Sequence, residues 1–362
     1  MIVQNIQLSN FRNYDKAFVS LHPALNLITG NNAQGKTNLL ESLVYLSLTR
    51  SHRISDDKKL IKNGAMFADI QCKFEDEGII KDIEAVIHGK GKTLMIHKQP
   101  VKKTSEFIGL LNVVLFSPDD LRLFTDSPKE RRRVLNQEIT KISPKYLLSL
   151  NKYQNLLKER NILLKEERKD DLFLETLDEQ MAEEEEKIMR ERMYFIQSVN
   201  EMLTPVYQQL SSDTIQMSIV YKSCIDDISK ENLFQMHQAL HEKDRIYHTT
   251  TNGIHREDML FEMDHANLIL SASQGQKRMT MLAFKMALLK HIQKETGKNP
   301  VLLLDDVLSE LDMQKQNKLL EMIDGTFQCL ITSTEIPPFL KNKDLKNFYV
   351  EDGKIYENRR NV

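Results

Sequence analysis

Leu27-Ile28-Thr29-Gly30-Asn31-Asn32-Ala33-Gln34-Gly35-Lys36-Thr37 is the stretch that decides the fold. A strand-like aliphatic run feeds a complete G-x-x-x-x-G-K-S/T phosphate loop, and Thr37 to Leu48 continues as an apolar helix. The glycines let backbone N–H groups approach phosphate oxygens, and the helix start adds partial positive charge. Lys36 is expected to reach the β- and γ-phosphates of a nucleotide, and the Thr37 hydroxyl to coordinate Mg²⁺.

The complementary half of such a site lies near the other end of the chain. Val301-Leu302-Leu303-Leu304-Asp305-Asp306 reads as a buried strand ending in two carboxylates. Asp305 is placed to meet the metal, and Asp306 to polarise or deprotonate an attacking water. Asp is one methylene shorter than Glu, so slow hydrolysis is expected. Between the halves, Ser271-Ala272-Ser273-Gln274-Gly275-Gln276 opens a helix expected over Gln274 to Thr296, with Gly297 as its C-cap. A serine and a glycine there form either an ordinary N-cap or a second anion-binding device.

Composition narrows the class. The chain has 362 residues, 41% hydrophobic and 28% charged, ordinary values for a globular protein with a large core and room for two lobes. Its net charge of −2 gives no global attraction to nucleic acid, so a DNA surface would be a local patch. Cys72, Cys224 and Cys329 are far apart without metal-ligand spacing and read as reduced thiols. Neither a signal peptide nor a bilayer-spanning run is visible, so no membrane partner and a cytoplasmic location are expected.

Along the chain, Ile2 to Leu8, Phe67 to Phe74 and Ile79 to Ile87 alternate with a period of two, and Thr93 to His97 follows a Gly-Lys turn. These predict an antiparallel meander beside the nucleotide core. The middle changes to helical spacing at Leu147, Leu150, Tyr153, Leu157 and Leu164. After the charged break Glu166 to Asp171 it resumes at Leu174, Leu177, Met181, Ile188, Phe195 and Met202, ending before Pro205. Two antiparallel helices are expected, packed as a projecting hairpin arm or folded as ordinary amphipathic helices on the core, each about 30–45 Å long at about 1.5 Å per residue. The last third returns to α/β, with a helix over Leu311 to Ile323, a strand over Phe327 to Thr332 and a hairpin around Asp352-Gly353. The expected division is 1–116 and 249–362 as the two parts of an ATPase lobe, with 117–248 an inserted, mainly helical arm lobe.

The order of phosphate loop, long insertion, serine–glycine helix start and metal strand resembles the ABC-type P-loop ATPase head. The particular motifs resemble the RecF family of bacterial recombination-repair proteins. They are Asn10-Phe11-Arg12-Asn13-Tyr14, the loop Gly30 to Asn38, Ser51-His52-Arg53, Ser127 to Arg133, Gly253-Ile254-His255-Arg256-Glu257-Asp258, Ser273 to Gln276 and Leu303 to Asp312. The resemblance implies a dimeric ATP switch in which Ser273 and Gly275 contact the γ-phosphate held by a second copy, with Asp312 at the same interface. It implies nucleotide contacts from Arg12 and Asn13, and a basic residue near phosphates or DNA at Arg53. It further implies homodimerisation on duplex, gapped or junction DNA, partnership with RecR and RecO, RecA loading and support of SOS induction.

Some positions depart from the wider ABC pattern. Asp306 stands where Glu is usual, Thr332-Ser333-Thr334 where a switch His is frequent, and Phe116 to Asp120 where many heads carry a Gln. The densest basic cluster, Lys129, Arg131, Arg132 and Arg133, is a candidate DNA contact and equally a solvated helix start. His255-Arg256 matches the family motif without a derivable mechanism. The rival readings are the head of an SMC-like chromosome-organising protein, a transporter ATPase subunit and a small-molecule kinase. The short middle segment disfavours the first. The arm and missing His disfavour the second, and the Ser273 motif disfavours the third.

Overall fold

The computed structural model describes residues 1–166, 170–323, 325–340 and 343–357. Of the charged break expected between the arm helices, 167–169 lie outside the described residues. The chain divides into two compact units, one of 1–120, 206–213 and 281–362, the other of 121–205 and 214–280.

The first unit is built on two six-stranded sheets. In the nucleotide sheet the order is Lys354–Glu357, Leu345–Glu351, Leu25–Thr29, Cys329–Ser333, Val301–Asp305 and Val113–Phe116. All neighbours are parallel except the edge hairpin around Asp352-Gly353. The three central strands are buried at every residue, which explains their mainly apolar sequences. Leu25–Thr29 and Val301–Asp305, distant in sequence, both flank Cys329–Ser333, so their C-terminal ends face one crevice. Val113–Phe116 joins as a further parallel strand that periodicity did not reveal, because four consecutive apolar residues cannot display alternation.

The second sheet is the expected antiparallel meander, ordered Tyr14–Ser20, Ile2–Phe11, Phe67–Asp76, Ile79–His88, Gly91–Ile96 and Gln99–Pro100. Ala68, Ile70, Cys72 and Phe74 point inward in strict alternation. In the first strand a bulge between Val3 and Asn5 lets both Val3 and Ile6 face the core. Gln328 fastens the two sheets, accepting from Val3 N–H and donating to the Val3 and His22 carbonyls.

The second unit is mainly helical but also holds a three-stranded antiparallel sheet of Met217–Lys222, Asp258–Met263 and Ala266–Asn267. Helices Pro144–Leu163 and Asp171–Ser211 pair antiparallel: Tyr146 meets Arg192, Lys152 meets Glu184 and Arg160 meets Asp178. The second of these corrects the expected stop before Pro205, for Pro205 lies inside the helix. Burial of Val206, Tyr207 and Leu210 outweighs the roughly 3 kcal/mol an internal proline costs. The arm helices are therefore unequal, about 30 and 60 Å at about 1.5 Å per residue. The contact division also differs from the expected boundary at 248/249. The second unit continues to Thr280, because Asp258–Met263 pairs with Met217–Lys222, so Ser273 and Gly275 belong to it.

No helix among the described residues is long and apolar enough to cross a membrane.

Candidate nucleotide site

The phosphate loop leaves its strand through Gly30, whose φ of +145° is open to glycine. A Cβ there would lie 2.3 Å from the Val350 carbonyl oxygen, so the loop rests directly on the C-terminal hairpin. The same hairpin holds the loop at Gln34, whose side-chain oxygen accepts from Asp352 N–H at 2.6 Å. Asn13 donates to the Gln34 carbonyl at 2.7 Å and accepts from Asn38 at 2.8 Å. Tyr14 donates to the Gly35 carbonyl. Asn31, Asn32 and Ala33 are exposed at the loop's crest.

Lys36 is buried and donates to the Gly30 and Asn31 carbonyls at 2.6 and 2.9 Å. Burial pulls its ammonium below the usual lysine range, while Asp306 and Asp305 oppose that shift. A charged ammonium therefore needs anionic company, which phosphate oxygens supply.

Thr37 joins the two distant halves. Its hydroxyl donates to Asp305 Oδ1 at 3.0 Å, and Thr332 donates to the same oxygen at 2.8 Å. Asp305 is buried, and desolvation raises its carboxyl above the usual range against the pull of these two hydroxyls and Arg53. A buried carboxylate beside a threonine hydroxyl is a hard-oxygen donor pair suited to a magnesium ion that keeps water and phosphate as its other ligands. Asp306 adopts a left-handed backbone with φ +53°, fixed by Thr332 accepting from Asp306 N–H at 2.9 Å and by Ser309 donating to the Asp306 carbonyl at 2.8 Å. Thr332 thus stands in the stretch where a switch His is frequent, and links the Asp305 carboxylate to the Asp306 backbone.

Arg12 and Asn13 form the turn between the first two strands, next to the loop. Arg12 makes a bidentate pair with Glu41, on the helix after the loop, at 2.7 and 2.8 Å. Glu41 is fully buried; desolvation alone would raise its carboxyl, and the bonds from Arg12 and Ser51 bring it below the ordinary range. Sequence reasoning missed Glu41, because an acidic residue in an apolar helix carries no motif of its own. Asp120, in the stretch standing for the usual Gln, pairs with Lys285 at 2.8 Å and accepts from Ser117 N–H.

In the second unit, Ser273 and Gly275 are exposed. Ser273 accepts from Gln276 N–H and donates its own N–H to Gln276 Oε1, a reciprocal cap on the helix Gln274–Thr296. In the first unit, Asp312 is exposed and pairs with Lys315, whose bond lowers its carboxyl.

The basic cluster separates into two kinds of residue. Arg131 is buried, making a bidentate pair with Asp258 at 2.7 and 2.8 Å, and Arg132 donates to the Glu257 carbonyl. Both support the fold of their unit, because helix Pro128–Ile142 turns Arg131 inward with Leu135 and Ile139. Lys129 is exposed, and Arg133 pairs with Glu130 on the same helix. His255 accepts from the Tyr153 hydroxyl at 2.7 Å and donates to the Thr250 carbonyl, with burial pushing its pKa down to about 4. Glu257 of the same motif pairs with fully buried Arg192. The three cysteines are free.

The family model described as the RecF/RecN/SMC N-terminal domain matches residues 2–356. DNA replication and repair protein RecF of Bacillus cereus is 36% identical over 98% of both chains, and that of Bacillus thuringiensis matches equally. The chain belongs to the RecF family. A solved structure of the recombination mediator protein RecF with ATP, of the RecFOR pathway, superposes with a TM-score of 0.92 at 31% identity, covering 99% of this chain and 98% of that one. An Smc head bound to the C-terminal winged-helix domain of ScpA superposes with a TM-score of 0.57 at 16% identity, which shows the shared fold of this RecF-family chain and the SMC heads.

Proposed function

We propose that this RecF-family chain is an ATP-dependent DNA-binding protein of recombinational gap repair, in which nucleotide binding closes two copies on DNA and slow hydrolysis releases them. The observation that carries this reading is the 3.0 Å bond between Thr37 and Asp305, which assembles loop and metal strand from opposite ends of the chain. The RecF relatives, similar over nearly their whole length, support the repair role.

In this reading Gly30 to Asn38 cradle the phosphates, Lys36 balances their charge, and Arg12 and Asn13 reach the nucleotide from the neighbouring turn. Thr37 and Asp305 hold Mg²⁺, which would neutralise phosphate charge. Asp306 orients the attacking water from a backbone fixed by Thr332, and its short side chain makes turnover slow. Ser273, Gly275 and Asp312 complete the site of a second copy. RecR and RecO are the partners, RecA loading and SOS induction the outcome, and the ATPase serves as a timer in the cytoplasm.

The test is equilibrium binding to gapped, duplex and single-stranded DNA with and without ATP and Mg²⁺. Binding to gapped or duplex DNA should tighten at least about tenfold with ATP, a 1.4 kcal/mol effect. Equal affinities in both conditions would contradict the reading.

A further inference from the structure

Glu41 is fully buried, yet both of its oxygens are engaged by groups at the mouth of the phosphate site. Arg12 presents Nε and Nη2 to Oε2 and Oε1 at 2.8 and 2.7 Å. Ser51 donates its hydroxyl to Oε1, and the same hydroxyl accepts the N–H groups of Arg53 and Ile54. Ser51 therefore ties the backbone at Arg53 to the carboxylate. The Arg53 guanidinium waits nearby, Nη1 being 4.0 Å from Glu41 Oε2 and donating at 3.3 Å to Asn38 beside the phosphate loop. Two arginines thus converge on one carboxylate: one holds it bidentately, and the other is anchored within a short side-chain movement.

A buried carboxylate that loses its cation is strongly penalised, whereas a bidentate guanidinium satisfies it well. Any pull on Arg12 from phosphates therefore works against its bond to Glu41 unless a second cation replaces it. We propose that Glu41 is a shared positioning residue: Arg53 moves onto its carboxylate as Arg12 moves to the nucleotide. This deepens the nucleotide-switch reading and rests on its assignment of Arg12 to the phosphates. Nucleotide arrival would thereby reset the Ser51–Arg53 segment as well as the loop itself.

The test combines melting temperature with equilibrium ATP binding in the presence of Mg²⁺, on the full chain. Arg12→Ala and Arg53→Ala should each lower the melting temperature modestly, because one arginine still covers Glu41. The double variant should fall by clearly more than the sum, and adding Glu41→Gln should remove that excess. Arg12→Ala should weaken ATP about tenfold or more, the equivalent of at least one charge-assisted bond. Arg53→Ala should weaken it about fivefold, and Glu41→Gln on that background should restore binding, since Arg12 then leaves no charge behind. Additive melting effects would overturn the sharing. Unchanged ATP affinity in Arg12→Ala, with melting still non-additive, would instead overturn the nucleotide half of the proposal and the assignment beneath it.

Discussion

Thr332 and Asp305 face each other across two parallel strands, and the Thr332 hydroxyl donates to Asp305 Oδ1 at 2.8 Å while accepting Asp306 N–H at 2.9 Å. One side chain thereby sets both the metal-facing carboxylate and the backbone of the residue assigned to the water. Replacing Thr332 by Val removes the donor and the acceptor at nearly constant shape. Turnover should fall about tenfold to a hundredfold, corresponding to about 1.4–2.7 kcal/mol, with ATP affinity changed less than about threefold. Thr332→Ser should retain most activity. Steady-state turnover beside equilibrium nucleotide binding checks the split, and equal loss in both variants would count against the hydroxyl.

The contact of the phosphate loop with the C-terminal hairpin makes a second prediction. Gly353 has φ +69°, and a Cβ on it would lie 2.3 Å from the Asn13 carbonyl oxygen. Gly353→Ala should push the turn away from Asn13 and Gln34, costing about 1–3 kcal/mol of stability and weakening ATP binding. Calorimetry and nucleotide titration measure both. A variant with unaltered affinity would show that the hairpin does not position the loop.

The phosphate loop and the Asp305 strand are legible in the sequence because they are local patterns: one glycine-framed turn and one aliphatic run suffice to recognise them. Thr332 shows there only as the absence of a histidine, because its role depends on the register of two strands. Glu41 does not show at all, because its partners arrive from turns at Arg12 and Ser51. The helix through Pro205 runs against local propensity, with tertiary burial of Tyr207 and Leu210 deciding it. The basic run 129–133 displays a charge cluster in sequence but not that Arg131 turns inward.

That separation predicts different outcomes within one cluster. Arg131→Ala leaves Asp258 without its bidentate partner and should destabilise the protein by about 3 kcal/mol. Lys129→Ala combined with Arg133→Ala should leave the melting temperature within about a degree. It should weaken DNA binding and reduce the salt dependence by about one to two phosphate contacts. Binding isotherms at several salt concentrations decide, and an unchanged slope would move the DNA surface elsewhere.

Acid should loosen the protein before carboxylates begin to titrate. Burial holds His255 and His52 to a pKa of about 4, below the unfolded value of about 6.5. Below about 6.5 the unfolded chain takes up protons that the folded chain refuses, so stability present above that pH is lost as pH falls toward about 4. Urea unfolding at about pH 7.5, 6 and 5 should show a progressive fall on the order of 2 kcal/mol for each of the two histidines. His255→Gln should flatten that slope, and stability constant across the range would contradict the burial argument.

The central claim is that ATP brings Ser273 and Gly275 of one copy onto the site of another. Sedimentation velocity with Mg²⁺ and a slowly hydrolysed ATP analogue tests it most directly, comparing the wild-type chain with Ser273→Arg. The account predicts that the analogue converts wild type from monomer to dimer, and that Ser273→Arg stays monomeric while still binding one nucleotide per chain. A wild-type monomer–dimer balance unmoved by the analogue would contradict it.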